Sequence, residues 1–197
     1  KPGDKHIFSI PNLKAWLERK FANALMFEHT LFLSEPYIDY ILSKNGFYIE
    51  KKEYFEDYHS IFYSTIRDDK ETFNLDLKNL YVENLNLYKE YVSYMDNLIT
   101  SLNKKIKKIR GPLYLFGAHV FSQTLIAYGL KTDKIVCILD NDKNKQNKRL
   151  YGTQFKVYSP EVIKEEENPT IILKAGPYSN EITTQIANEI NENAEFL

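Results

Sequence analysis

Apolar and polar positions along the chain change rhythm twice. Near the start, Leu13, Trp16, Leu17 and Phe21 recur at helical spacing behind Pro11-Asn12 and predict a short amphipathic helix over 13–23. The next run, 24–32, is apolar and aromatic with Glu28 and His29 embedded, and reads as a strand. Ser34-Glu35-Pro36 then carries a helix-start signal. Tyr37, Ile38, Ile41 and Leu42 supply the apolar face of that helix, and Asn45-Gly46 stops it with residues that tolerate left-handed backbone. Residues 47–55 and 59–66, rich in aromatic and β-branched side chains and joined by the polar Glu56-Asp57-Tyr58, predict an antiparallel pair.

After the polar break Asp68-Asp69-Lys70-Glu71 the period lengthens. Apolar residues return every three or four positions at Leu77, Tyr81, Leu85, Tyr88, Val92, Met95, Leu98 or Ile99, Leu102, Ile106 and Ile109. This predicts a helix of about thirty residues, some 45 Å long at about 1.5 Å per residue. A self-associating coiled coil is the rival reading, although no strict heptad of Leu and Ile is sustained. Gly111-Pro112 ends the helix, and strand and helix then alternate: strand 113–116, helix 120–128, strand 134–139, a helix opened by Ser159-Pro160-Glu161, strand 170–173 and helix 179–191. That alternation argues for a parallel sheet with helices over its faces.

Composition narrows the function classes. Of 197 residues, 43% are apolar and 14% aromatic, enough to bury substantial cores. Lys and Arg number 26 against 27 Asp and Glu, so no overall field favours nucleic acid. The basic run Lys104, Lys105, Lys107, Lys108, Arg110 suits the negative pole of the long helix. A single cysteine, Cys137, inside a strand-like run excludes a disulfide framework and fits a reducing, cytoplasmic compartment. The four histidines lack zinc-site spacing, so no metal is expected. No apolar stretch approaches the roughly 20 residues of a membrane span, and no signal peptide is evident.

Two regions carry candidate chemistry. Glu28 and His29 fall at the end of the strand predicted over 24–32, where neighbouring side chains point to opposite sides. A histidine can take a proton at neutral pH, and a carboxylate can orient it or hold a substrate hydroxyl. His59, at the mouth of the strand pair, reads as structural. In the second half, Phe116-Gly117-Ala118-His119 sits where a strand hands over to a helix, and Asp140 ends the next strand. This is the skeleton of a dinucleotide-binding unit, but Leu115 and Ser122 stand where glycine would help, so a Rossmann-like shell without NAD is the expectation. The loop 140–152 leaves the carboxyl end of a strand, where open α/β sheets place ligands, and Ala175-Gly176-Pro177-Tyr178-Ser179 offers backbone amides before the last helix. His119, Asn141, Lys145 and Tyr178 are the candidate substrate-binding residues there.

In this order, Phe27-Glu28-His29-Thr30-Leu31-Phe32-Leu33-Ser34, Asn45-Gly46-Phe47, His59-Ser60-Ile61-Phe62-Tyr63, Phe116-Gly117-Ala118-His119, Leu139-Asp140-Asn141-Asp142, Tyr151-Gly152-Thr153 and Ser159-Pro160-Glu161 resemble SAM-dependent sugar C-methyltransferases. Those enzymes carry a Rossmann-like domain after the methyltransferase domain. The resemblance implies an α/β fold: the end of a class I methyltransferase sheet (helix, strand, helix, β hairpin) over 1–67, a long linking helix over 68–110, and a Rossmann-like parallel domain over 111–197. The family's Tyr-x-Glu-His pattern lies beside the sugar, which implies His29 as base and Glu28 as its partner. Met26 stands at the tyrosine position, a departure that also admits O-methylation.

The family's glycine-rich SAM loop and zinc-binding domain have no counterpart among these residues. The chain therefore reads as the C-terminal portion of a methyltransferase acting on a nucleotide-linked sugar, in capsule, lipopolysaccharide or deoxysugar synthesis. SAM is expected to bind the parent enzyme and not this portion alone. A non-catalytic nucleotide-sugar binding or assembly module is the alternative.

Overall fold

A computed structural model describes residues 1–25, 29–68 and 79–197. The chain divides into two compact units, Lys1–Val92 and Ser93–Leu197. The first contains strand β1 (Lys5–Pro11), helices α1 (Leu13–Glu18) and α2 (Glu35–Lys44), and strands β2 (Phe47–Phe55) and β3 (Ser60–Arg67). The three strands form an antiparallel sheet in the order β1-β3-β2.

Alternation along the strands decides which face is covered. Ile61 and Tyr63 of β3, with Phe8 and Ile10 of β1 and Phe47 and Ile49 of β2, pack with Ile38 and Leu42 of α2. Helix α2 begins and ends as its signals predict, with Ser34 as the residue before its first turn, Pro36 inside that turn, and Gly46 at φ +74° after Asn45. Across the edge of this core, the Lys52 ammonium sits 2.6 Å from Glu35 and 2.7 Å from Asp39. The Tyr54 hydroxyl donates to Glu35 at 2.8 Å, and that of Tyr63 to Asp39 at 3.0 Å.

Of the strand predicted over 24–32, the described residues 24–25 and 29–32 are not in a strand. Residues 22–25 make turns, 29–34 are irregular, and 26–28, which include Glu28, lie outside the described residues. The Ala24 amide turns back to the Phe21 carbonyl at 3.0 Å, and just before the stretch the Tyr91 hydroxyl donates to the carbonyls of Phe21 at 3.0 Å and Ala22 at 3.2 Å. These groups are thereby withdrawn from strand pairing. The strand that opens the unit is β1 instead, so the order is strand, helix, helix, hairpin. His29 itself lies in irregular backbone.

Helix α3 (Tyr81–Lys108) contains the boundary between the units. Its buried positions Tyr91, Met95, Ile99, Leu102 and Ile106 repeat at the predicted spacing. At its end the Lys134 ammonium donates to the carbonyls of Ile106, Lys107 and Ile109 at 3.1, 3.2 and 2.9 Å, satisfying groups that a helix terminus leaves open.

The second unit continues with β4 (Leu113–Phe116), α4 (Val120–Ala127), β5 (Ile135–Leu139), β6 (Val157–Tyr158), β7 (Thr170–Ile172), α5 (Ser179–Gln185) and β8 (Glu195–Phe196). The five strands are parallel in the order β6-β5-β4-β7-β8. One face packs Tyr114, Phe116, Cys137, Leu139, Ile171 and Leu173 with Ile163 and Ile186. The helix expected after Ser159 is a four-residue 3₁₀ turn, Pro160–Ile163, and α5 passes into a π-helical turn over Ile186–Ile190.

Candidate functional site

In the first unit, His29 borders a mostly apolar cavity of about 310 Å³ at the carboxyl end of β1, with Ile10, Leu13, Trp16, Phe32 and Ile38 among its walls. The Trp16 indole N–H donates to the His59 carbonyl at 2.7 Å, which fixes the indole ring. Its edge faces the His29 imidazole at a centroid distance of 6.4 Å, and Phe32 lies nearly parallel to that imidazole at 6.0 Å. Among the described residues, no hydrogen bond or ion pair engages the His29 nitrogens. The walls position the ring through packing. His59 has a structural setting, with Nδ1 2.8 Å from the Ser60 hydroxyl and its ring 4.8 Å from Trp16. Glu28 lies outside the described residues, so its carboxylate is not placed beside His29.

In the second unit the strand order reverses direction between β4 and β7, and the loops at their carboxyl ends flank the crevice where such sheets take ligands. From β4 come Gly117, at φ +102°, and His119, the residue before the first turn of α4, whose ring lies 5.5 Å from that of Phe121. From β7 comes the turn Gly176–Tyr178. Gly176 lies against Phe121, where an added Cβ would stand 3.7 Å from the ring, and Tyr178 is exposed. From β5 come Asn141, whose amide donates to Gln185 of α5 at 2.7 Å, and Lys145, 3.3 Å from Asp140. All four predicted residues thus emerge at the same end of the sheet, with Asn141 and Lys145 engaged by Gln185 and Asp140. Phe121 and Gln185, which shape this end, escaped sequence reading because a phenylalanine and a glutamine inside helices carry no positional signal.

The turn does not fit a dinucleotide or the adenosyl group of SAM. Asp140, the acidic residue at the end of the second strand of the unit, is buried, and its two oxygens accept the amides of Ala118 at 2.7 Å and Asp142 at 2.8 Å. The carboxylate that would receive ribose hydroxyls is therefore occupied by the backbone, and Gly117 is the one glycine of the strand-to-helix turn.

Among the described residues, no group of three or more His, Cys, Asp or Glu side chains is arranged to hold a metal ion. No helix among them is long and apolar enough to cross a membrane. A family model described as the C-methyltransferase C-terminal domain matches residues 64–197, from β3 through the whole second unit. No curated protein matches the chain.

Proposed function

The chain belongs to the C-methyltransferase C-terminal domain family, and from that premise we propose that it is the C-terminal portion of a SAM-dependent methyltransferase acting on a nucleotide-linked sugar. The observation that carries the reading is His29, which borders a cavity at the carboxyl end of β1 with no described protein partner on its nitrogens. The strand, crossover helix and hairpin of the first unit are also the elements with which a class I methyltransferase sheet closes.

In this reading a sugar carbon bearing a keto neighbour is seated against the apolar wall. The His29 imidazole takes the proton from that carbon, and the electron pair is delocalised onto the keto oxygen. Trp16 and Phe32 hold the ring in place and keep water from it. Glu28 is the proposed orienting or hydroxyl-binding partner. In the second unit, His119, Asn141, Lys145 and Tyr178 are the proposed contacts to the nucleotide-linked part of the substrate. In this reading the methyl donor's cradle belongs to another part of the enzyme. Cytoplasmic residence suits the single buried thiol, Cys137.

The test is His29→Ala in the full-length enzyme. Turnover should fall by about 10² to 10⁴-fold while SAM affinity holds, the range for losing a general base. An unchanged rate removes His29 from the mechanism. Calorimetry with sugar nucleotides in the absence of SAM then asks whether the chain binds substrate by itself, as a purely recognition-based module would.

A further inference from the structure

The loop between β5 and β6 folds back as a short hairpin that enters β6 at its first residue, on the edge of the sheet and two strands from β4. The Val157 amide donates to the Lys148 carbonyl at 2.8 Å, and the Leu150 amide donates to the Phe155 carbonyl at 3.0 Å. Arg149 and Lys156 lie between these two bonds as an antiparallel bridge, opposite each other without exchanging hydrogen bonds. That is where side chains of paired strands approach most closely, and they leave the ribbon on the same face. The adjacent Leu150 and Val157 are buried, so they face inward, while Arg149 and Lys156 face outward and are exposed. The tip is fixed: the Thr153 hydroxyl donates to the Leu150 carbonyl at 2.9 Å, and the Gln123 side-chain amide of α4 donates to the Tyr151 carbonyl at 3.0 Å.

A closed ladder thus holds two cations face to face. Like charges directly opposite in a ladder repel, and among the described residues neither side chain takes part in a hydrogen bond or ion pair. Alternation places the exposed Asn147 and Gln154 on the same outward face, which adds two carboxamide donors. Arg149, Tyr151 and Gln154 are among the walls of an open hollow of about 670 Å³ over the tip. One ligand chemistry satisfies both the donors and the charge. A dianionic phosphate group balances the guanidinium and the ammonium together, and two of its oxygens accept the guanidinium fork. A carboxylate leaves one of the two positive charges unbalanced.

We propose that the Arg149–Lys156 pair binds a phosphate group, supplied as the free ion or on a phosphorylated polyol. This site lies outside the crevice between β4 and β7, and it stands whether or not His29 acts as a base. The test is NMR of the ¹⁵N-labelled full chain titrated with inorganic phosphate at constant ionic strength, with acetate and glycerol 3-phosphate in parallel. Phosphate should produce saturable shifts confined to the hairpin amides, and acetate should not. Arg149→Gln and Lys156→Gln should each weaken phosphate binding by about tenfold. Lys156→Glu sets a carboxylate opposite Arg149 in place of the anion. That variant should lose the phosphate response and, in phosphate-free buffer of low ionic strength, should melt at a higher temperature than the wild type. Equal affinity for the two phosphates supports the site with the free ion as its source, and tighter binding of glycerol 3-phosphate supports it with the polyol as its source. The proposal is overturned if phosphate gives no saturable shift, if acetate matches it, or if the response survives Lys156→Glu.

Discussion

The backbone amide of Ala118 donates to the carboxylate of Asp140 at 2.7 Å, joining the turn after β4 to the end of β5. The same side chain accepts the Asp142 amide and pairs with Lys145, so one buried acid organises both loops at this end of the second unit's sheet. Asp140→Ala leaves the Ala118 amide without this acceptor and should lower stability by about 1–3 kcal/mol, as measured by urea denaturation. The wild-type chain titrated with NADH should show no saturable fluorescence change, because the acid is already committed. Saturation would mean that Asp140 releases its amides to a ribose.

Three buried groups set the behaviour of the chain in alkali. Burial pushes the Cys137 thiol from 9.0 up to about 11. Burial, followed by the nearby Glu166 carboxylate, pushes the Tyr114 phenol from 10.0 up to about 12. Burial and Asp39 likewise raise Tyr63 above the ordinary tyrosine value. Each is neutral when protonated, and each loses its proton at lower pH in the unfolded chain than in the folded one. The unfolded state therefore binds fewer protons above pH 9, and stability falls as pH rises from there. Urea midpoints between pH 7 and 11 should be flat up to about pH 9 and then decline, while Cys137→Val should delay the onset towards about pH 10, where the tyrosines take over. An onset unmoved by that substitution would place the sensitivity elsewhere.

Elements with local punctuation were legible in the sequence, and elements decided at a distance were not. Helix α2 is bracketed by Ser34-Glu35-Pro36 and Asn45-Gly46, and the hairpin by two aromatic, β-branched runs, so both lie close to their expected positions. The apolar run over 24–32 looked like a strand because nothing local shows that the Ala24 amide turns back to the Phe21 carbonyl. Strand β1 was hidden because Ile7 faces solvent while Phe8 faces the core, which blurs a period of two. Strands β6 and β8, two residues each, are too short to carry any period.

The candidate sites divide the same way. His29 could be singled out as a residue, but its cavity is made by Leu13, Trp16 and Ile38 from two helices. The turn Glu56-Asp57-Tyr58 depends on left-handed backbone that no glycine announces.

That turn supplies a direct measure of stored strain. Left-handed backbone places a Cβ against the neighbouring carbonyl, at roughly 1–2 kcal/mol per residue, and glycine is free of this contact. Glu56 is the position to change, because Asp57 pairs with Arg19 and Tyr58 packs on Tyr54. Glycine costs something in unfolded-state entropy, so the net gain from Glu56→Gly should be about 0.5–1 kcal/mol. At the size of this chain, such a gain corresponds to a rise in Tm of roughly 1–4 °C by calorimetry. A fall in Tm would show that the Glu56 side chain stabilises the turn more than its backbone strains it.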